Sequence, residues 1–193
     1  MKPLRFIHVS KTGGQAIAFV AIEQAKICWG MFDKEYGTGL ACHRLLSQIR
    51  NKEIISQHDW FMVVRNPYER MLSVYSWYKE WHKTSDDVNH FLQHSLACII
   101  SGKVDVMKRY HEHFIEQWRY LEAEYNIIVL RFERLEEEFN QLMKSRGYNI
   151  ILNKKVNESK EKLSIDILNA DTIRYINQVY EKDFTIFGYN MIH

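Results

Sequence analysis

The chain has 193 residues, 46% of them hydrophobic and 13% aromatic, and a formal net charge of +2 at pH 7. This composition excludes a disordered chain, and so small a charge gives no argument for nucleic acid, so any basic site must be local. Three cysteines, Cys28, Cys42 and Cys98, show neither CxxC nor framework spacing, which fits a reduced, intracellular protein. No apolar run approaches the roughly 20 residues of a membrane helix, and the N-terminus has no signal-peptide pattern. The expectation is one cytoplasmic domain over residues 1–193 with no membrane span.

The first element is a short strand, Leu4–Val9, followed by a turn at Ser10–Gly14 and a helix opening at Ala16–Ile22. Ile27–Met31 reads as a second short strand, Tyr36–Gly39 as a turn, and Arg44–Asn51 as a short helix. Trp60–Val64 is the strongest strand; its continuous apolar run calls for cover on both faces, as in a parallel sheet. Pro67 then suits the first position of a helix running to about Trp81. Asp86–Glu124 has helical periodicity. Asn126–Phe132 is a further strand, Glu133–Ser145 a helix closed by Gly147, Tyr148–Leu163 a polar loop, and Ile165–Asp183 a last helix. Strands alternating with helices predict an α/β fold of three layers, a central parallel sheet with helices on both faces. In such a sheet the ligand sits at the carboxyl ends of the strands.

Two strand ends carry the chemistry. After the first strand, Lys11-Thr12-Gly13-Gly14 lets the backbone approach a ligand closely. The helix that follows offers N–H groups and a positive dipole end. This is a phosphate cradle with one mobile cation. After the Trp60–Val64 strand, Arg65 ends a buried run where a guanidinium needs an anionic partner. Ser73 lies six residues past Pro67, roughly 9 Å along the helix, and the two together can grip one phosphate. A ligand with phosphates at two positions is implied.

Ile7-His8-Val9-Ser10-Lys11-Thr12-Gly13-Gly14 resembles the 5′-phosphosulfate loop of sulfotransferases that use 3′-phosphoadenosine 5′-phosphosulfate. Val64-Arg65-Asn66-Pro67-Tyr68-Glu69-Arg70-Met71-Leu72-Ser73 resembles their 3′-phosphate motif. Val129–Phe139 is similar to the later strand and acidic helix start. Val156–Lys160, with Tyr180–Phe184 and Phe187-Gly188-Tyr189, is similar to the closing segments of the carbohydrate branch, the heparan- and chondroitin-like enzymes. The resemblance implies a P-loop-NTPase-like sulfotransferase fold that moves a sulfuryl group in line from the donor to an acceptor hydroxyl, here of a glycan, with no metal required. It implies donor contacts from Lys11, Thr12, Gly13, Gly14, Gln15, Ala16, Arg65 and Ser73, with Asn157 and Ser159 on a closing loop. Lys11 would stabilise the leaving bridging oxygen. Ser10 replaces the usual proline, and Gln15-Ala16 replace the usual hydroxyl pair.

A base must take the acceptor proton, and histidine suits this near neutral pH. His43 opens a segment resembling the family's His-led helix. His113, with Gln117 as an acceptor contact, is the second candidate. His8 ranks lower because it falls inside the strand, and Glu69 and Arg70 read as structural ties. His90/His94 and His111/His113 lack an HExxH arrangement and read as solvated faces, so no metal is expected. Two rivals stay open. One is a P-loop kinase, although no glycine stands where GxxxxGK[ST] needs it and no apolar strand ends in a magnesium-binding aspartate. The other is a relative that binds nucleotide without catalysis.

Overall fold

The apolar runs form three parallel strands in the computed structural model, which describes residues 1–34, 42–49, 51–83, 86–103, 111–122, 124–153 and 163–193. The strands are β1 (Leu4–Ile7), β2 (Asp59–Val64) and β3 (Ile127–Arg131), in the order β1-β2-β3. Phe6 pairs with Phe61, and Met62 with Val129. The helices are α1 (Gly14–Ala25), α2 (Lys52–Gln57), α3 (Pro67–His82), α4 (Val88–Ile100), α5 (His111–Phe114), α6 (Leu135–Ser145) and α7 (Ala170–Phe187). The chain divides into two compact units. One holds residues 1–65 and 119–158, and the other residues 66–118 and 159–193.

The first unit is built on the sheet. Alternation along the strands puts Leu4, Phe6, Phe61, Val63 and Leu130 on one face, where they pack with Ala16, Ile17, Val20 and Ala21 of α1 and Leu135, Phe139, Leu142 and Met143 of α6. The rings of Phe6 and Phe61 lie 5.0 Å apart, and Trp29 meets Phe61 edge-on at 5.2 Å. Trp60, Met62 and Val64 alternate onto the opposite face and are also buried, so β2 is covered on both sides. This is what its continuous apolar run demanded.

The expected strand at Ile27–Met31 is not one. Ile27 to Trp29 is irregular and Gly30–Phe32 is a 3-10 turn. Trp29 is held by its indole, which donates to the Leu4 carbonyl at 3.2 Å; that side-chain bond replaces a backbone ladder. The expected helix at Arg44–Asn51 is a 3-10 turn at Leu46–Gln48, and α2 follows it.

The second unit is helical. Each entry point has a local cause. Asn66 accepts from the Tyr68 N–H at 3.0 Å with Pro67 at the first position of α3, Asp87 caps α4, and Asn169 caps α7. Its core joins Tyr68, Met71, Leu72 and Tyr75 of α3 with Phe91, Leu92 and Leu96 of α4 and Ile176, Tyr180 and Phe184 of α7. Helical periodicity expected over Asp86–Glu124 is broken into α4, the short α5 and a 3-10 turn at Gln117–Tyr120.

α7 runs past Asp183, where the sequence suggested an end, to Phe187, and Gly188 closes it at φ 65°. Asp183 is fully buried rather than at an exit. Its carboxylate accepts from the backbone N–H groups of Gln117 at 3.0 Å and Trp118 at 2.8 Å. Burial pushes its carboxyl above the usual range, while the Arg70 charge and these N–H groups pull it back. Arg70, also fully buried, donates to the carbonyls of His113 at 3.0 Å and Ile115 at 2.7 Å, the structural tie its position suggested. Ionising so buried an acid gives little net stability, but removing one member leaves the other charge uncompensated. Asp183→Ala should lower unfolding free energy by about 3–5 kcal/mol, read by urea denaturation. A loss below about 1 kcal/mol would remove this network from the supports of the fold.

Candidate active site

The site begins where β1 ends. His8 follows the strand directly, and Val9 donates back to the Ile7 carbonyl at 3.1 Å to start the turn. Lys11 adopts a left-handed conformation, φ 65°, that costs a residue with a Cβ about 1 kcal/mol or more. Thr12 is fully buried, and its hydroxyl donates to the Val9 carbonyl at 2.9 Å. Its hydroxyl proton braces the turn, so a phosphate is left its backbone N–H.

Gly13 is the N-cap of α1 at φ 85°, a conformation suited to glycine. A Cβ there would stand 2.9 Å from Leu135 and 3.2 Å from Phe132. Gly14 is required for a different reason. A Cβ at Gly14 would fall 2.1 Å from the His8 ring, so the imidazole occupies the space the missing side chain leaves. No side chain caps α1 and no acid sits in its first turn. That favours an anion at this end.

Gln15 is exposed beside this terminus, whereas Ala16 is buried. Ala16 brings no side-chain hydroxyl to a donor phosphate. Its methyl packs in the sheet core and its N–H donates to the Gly13 carbonyl at 3.0 Å. The donor contact expected at Ala16 would have to come from its backbone, since its methyl belongs to the core.

β2 delivers the second cation. The Arg65 guanidinium lies over the Phe132 ring, 4.1 Å from its centroid, and Nη1 approaches the Lys11 carbonyl at 3.4 Å. This arginine is half-buried. Its support is an aromatic face and a carbonyl, and it lies against the Lys11 turn. Ser73 is half-buried on α3, in the other compact unit.

His43 joins the same strand end. Its Nδ1 lies 2.7 Å from the His8 carbonyl, and its ring meets the His8 ring edge-on at 4.6 Å. A carbonyl only accepts, so Nδ1 carries the hydrogen and Nε2 holds the lone pair, the tautomer a general base requires. The His43 carbonyl in turn accepts from the Tyr120 hydroxyl at 2.9 Å. Imidazole and thiol groups also gather here. One ring nitrogen each of His8 and His43 and the Cys42 sulfur lie within 4.8 Å of one another. The sequence offered His8 only as a lesser candidate base and gave no sign of its grouping with Cys42, because the two are 34 positions apart and follow no ligand spacing.

The second candidate base is packed away. His113 is buried with its ring 4.3 Å from that of Trp77. Gln117 is fully buried, and its amide donates to Asp183 at 3.3 Å. Gln117, expected as an acceptor contact, has its backbone N–H and its side-chain amide N–H on Asp183. Asn157, Ser159 and the lysines at 154, 155, 160 and 162 lie outside the described residues, as does the Tyr36–Gly39 turn.

A parallel α/β protein with a cationic glycine turn at its strand ends has the architecture of enzymes that handle phosphorylated ligands. The family model described as the sulfotransferase family matches residues 4–190, nearly the whole chain. This chain belongs to the sulfotransferase family, and its reaction class is sulfuryl transfer. No curated protein and no solved structure matches it. The family assignment overrules the kinase rival.

The Gly14 contact is open to a direct check. Gly14→Ala should destabilise the protein by about 1–3 kcal/mol through overpacking. The double variant with His8→Ala should fall short of the summed single effects by more than about 0.5 kcal/mol. Strict additivity would mean the ring and residue 14 do not share that space.

Proposed function

We propose that the protein transfers the sulfuryl group of 3′-phosphoadenosine 5′-phosphosulfate to an acceptor hydroxyl, with His43 as base and Lys11 as the cation at the bridging oxygen. The observation that carries this reading is the convergence of Lys11, Arg65 and His43 around one glycine turn at neighbouring parallel strand ends. The backbone around Gly13 and Gly14 and the start of α1 would receive the 5′-phosphosulfate. Arg65 would hold the 3′-phosphate, with Ser73 as its partner by resemblance to the family motif.

The transfer follows from these assignments. The acceptor oxygen attacks sulfur while the bond from sulfur to the bridging oxygen breaks. His43 Nε2 takes the acceptor's proton as its charge falls, and the hydrogen bond from Nδ1 to the His8 carbonyl steadies the imidazolium. The leaving phosphate gains negative charge on the bridging oxygen, where the Lys11 ammonium stabilises it or gives it a proton. The work is positioning and charge stabilisation, as in phosphoryl transfer. Residues 1–193 would act as one catalytic domain, and the match across both compact units supports this.

A carbohydrate acceptor is the finer part of the proposal. It is supported by the closing segments' likeness to carbohydrate sulfotransferases.

Calorimetry with 3′,5′-adenosine bisphosphate in EDTA tests the donor assignment. The wild type should bind without metal, and Arg65→Ala should weaken binding by about 1.5–3 kcal/mol, the worth of a charged hydrogen bond. No binding by the wild type would overturn the assignment. His43→Gln should lower kcat by about 10²–10⁴ with donor-product affinity little changed. Binding without transfer to any glycan, alcohol or phenol would leave a nucleotide-binding relative that is not catalytic.

A further inference from the structure

We infer that His8, Cys42 and His43 form a binding site for a thiophilic divalent cation of the zinc type. One nitrogen from each imidazole and the Cys42 sulfur lie within 4.8 Å of one another. Bond lengths of roughly 2.0–2.1 Å to nitrogen and 2.3 Å to sulfur put the edges of a tetrahedral site near 3.3–3.7 Å. Each ligand atom therefore has to move by less than about 1 Å, a small side-chain rotation. One thiolate and two imidazoles select zinc or cobalt over magnesium and calcium, which prefer oxygen.

Three features make this more than a chance grouping. Cys42 is a thiol rather than half of a disulfide, and it is buried beside two imidazoles. The His43 Nδ1 hydrogen bond to the His8 carbonyl is the kind of outer contact that metal-bound histidines characteristically make, and it fixes the ring. Here one ligand's backbone orients the other ligand's ring. All three groups are shielded from bulk water, where a neutral nitrogen or a thiolate gains most from an ion. His90 and His94 on α4 are exposed, Cys98 one turn further on is buried, and the three do not gather into a ligand cluster among the described residues.

Three protein ligands leave a fourth position for water or an anion. On binding, the Cys42 thiol releases its proton to solvent as the sulfur–metal bond forms, and both imidazoles bind neutral. One consequence rests on the proposed base: the ion takes the His43 lone pair that the acceptor proton needs, so bound zinc halts transfer.

The test uses the reduced full chain, stripped with EDTA and then freed of chelator, titrated with cobalt(II) as a spectroscopic probe. A thiolate-to-cobalt charge-transfer band and tetrahedral visible bands should saturate at one equivalent and vanish on adding one equivalent of zinc. Cys42→Ser should abolish the charge-transfer band and weaken zinc at least tenfold, while a His90→Ala/His94→Ala variant keeps the full signal. Zinc should also protect Cys42 of the wild type from alkylation, read by peptide mass spectrometry, which settles the ligand even if Cys42→Ser does not fold. A wild type without the band, a band surviving in folded Cys42→Ser, or equal labelling of Cys42 with and without zinc would each overturn the site. Zinc that binds at Cys42 yet leaves the transfer rate unchanged would sink the His43 base and spare the metal site.

Discussion

The β1 end of the sheet rests on a steric fact: an imidazole stands where a side chain at position 14 would be. His8 leaves β1 and turns its ring toward the first turn of α1, and only a glycine there admits it. The close approach fixes how strand and helix meet, so it fixes where Lys11 emerges between them. The His8 carbonyl, held by the same stretch, then sets the tautomer of His43. Ring packing at one residue thus governs where the Lys11 turn lies and how the His43 ring is held. Nothing in the loop needs to be flexible for this to work, and Thr12 removes slack by bonding back to Val9.

The fold was legible where backbone propensity and burial agreed. β2 announced itself as a continuous apolar run with Pro67 just beyond its end, and α3 starts at that proline. Ile27–Met31 misled because its apolar residues are those of a strand, yet Trp29 is anchored by its indole and Gly30 bends the chain at φ 57°. Asp183 misled in the opposite sense. A carboxylate near a helix end reads as an exit to solvent, and only tertiary packing shows two backbone N–H groups waiting for it. The same packing absorbed Gln117, whose amide no periodicity could assign. At the candidate site, the strand-end positions of Lys11, the glycines and Arg65 were readable because each follows an apolar strand with a turn signal. The partnership of His8, Cys42 and His43 was not, because contact between a strand end and a later turn leaves no spacing in the sequence.

The two compact units divide the labour of stability differently. The sheet unit depends on tilted aromatic contacts through Phe6, Phe61 and Phe139, an apolar core that tolerates volume-conserving change. The helical unit places Arg70 and Asp183 inside its core. Each is acceptable only because carbonyls and N–H groups from the α5 region surround it. Charged groups in such a position specify one arrangement of α3, α7 and the intervening turn, because a register shift would strand them.

Phe132 has a double duty with an evolutionary cost. Its edge lies 3.2 Å from the point where Gly13 would carry a Cβ, and its face carries the Arg65 guanidinium. A leucine could fill the volume beneath the glycine but has no π-face to offer a cation. Drift at this position is therefore confined to aromatic rings for as long as Arg65 is kept, and a lineage that lost the arginine would be released to vary at 132 as well. The two positions form a linked pair whose histories should be read together.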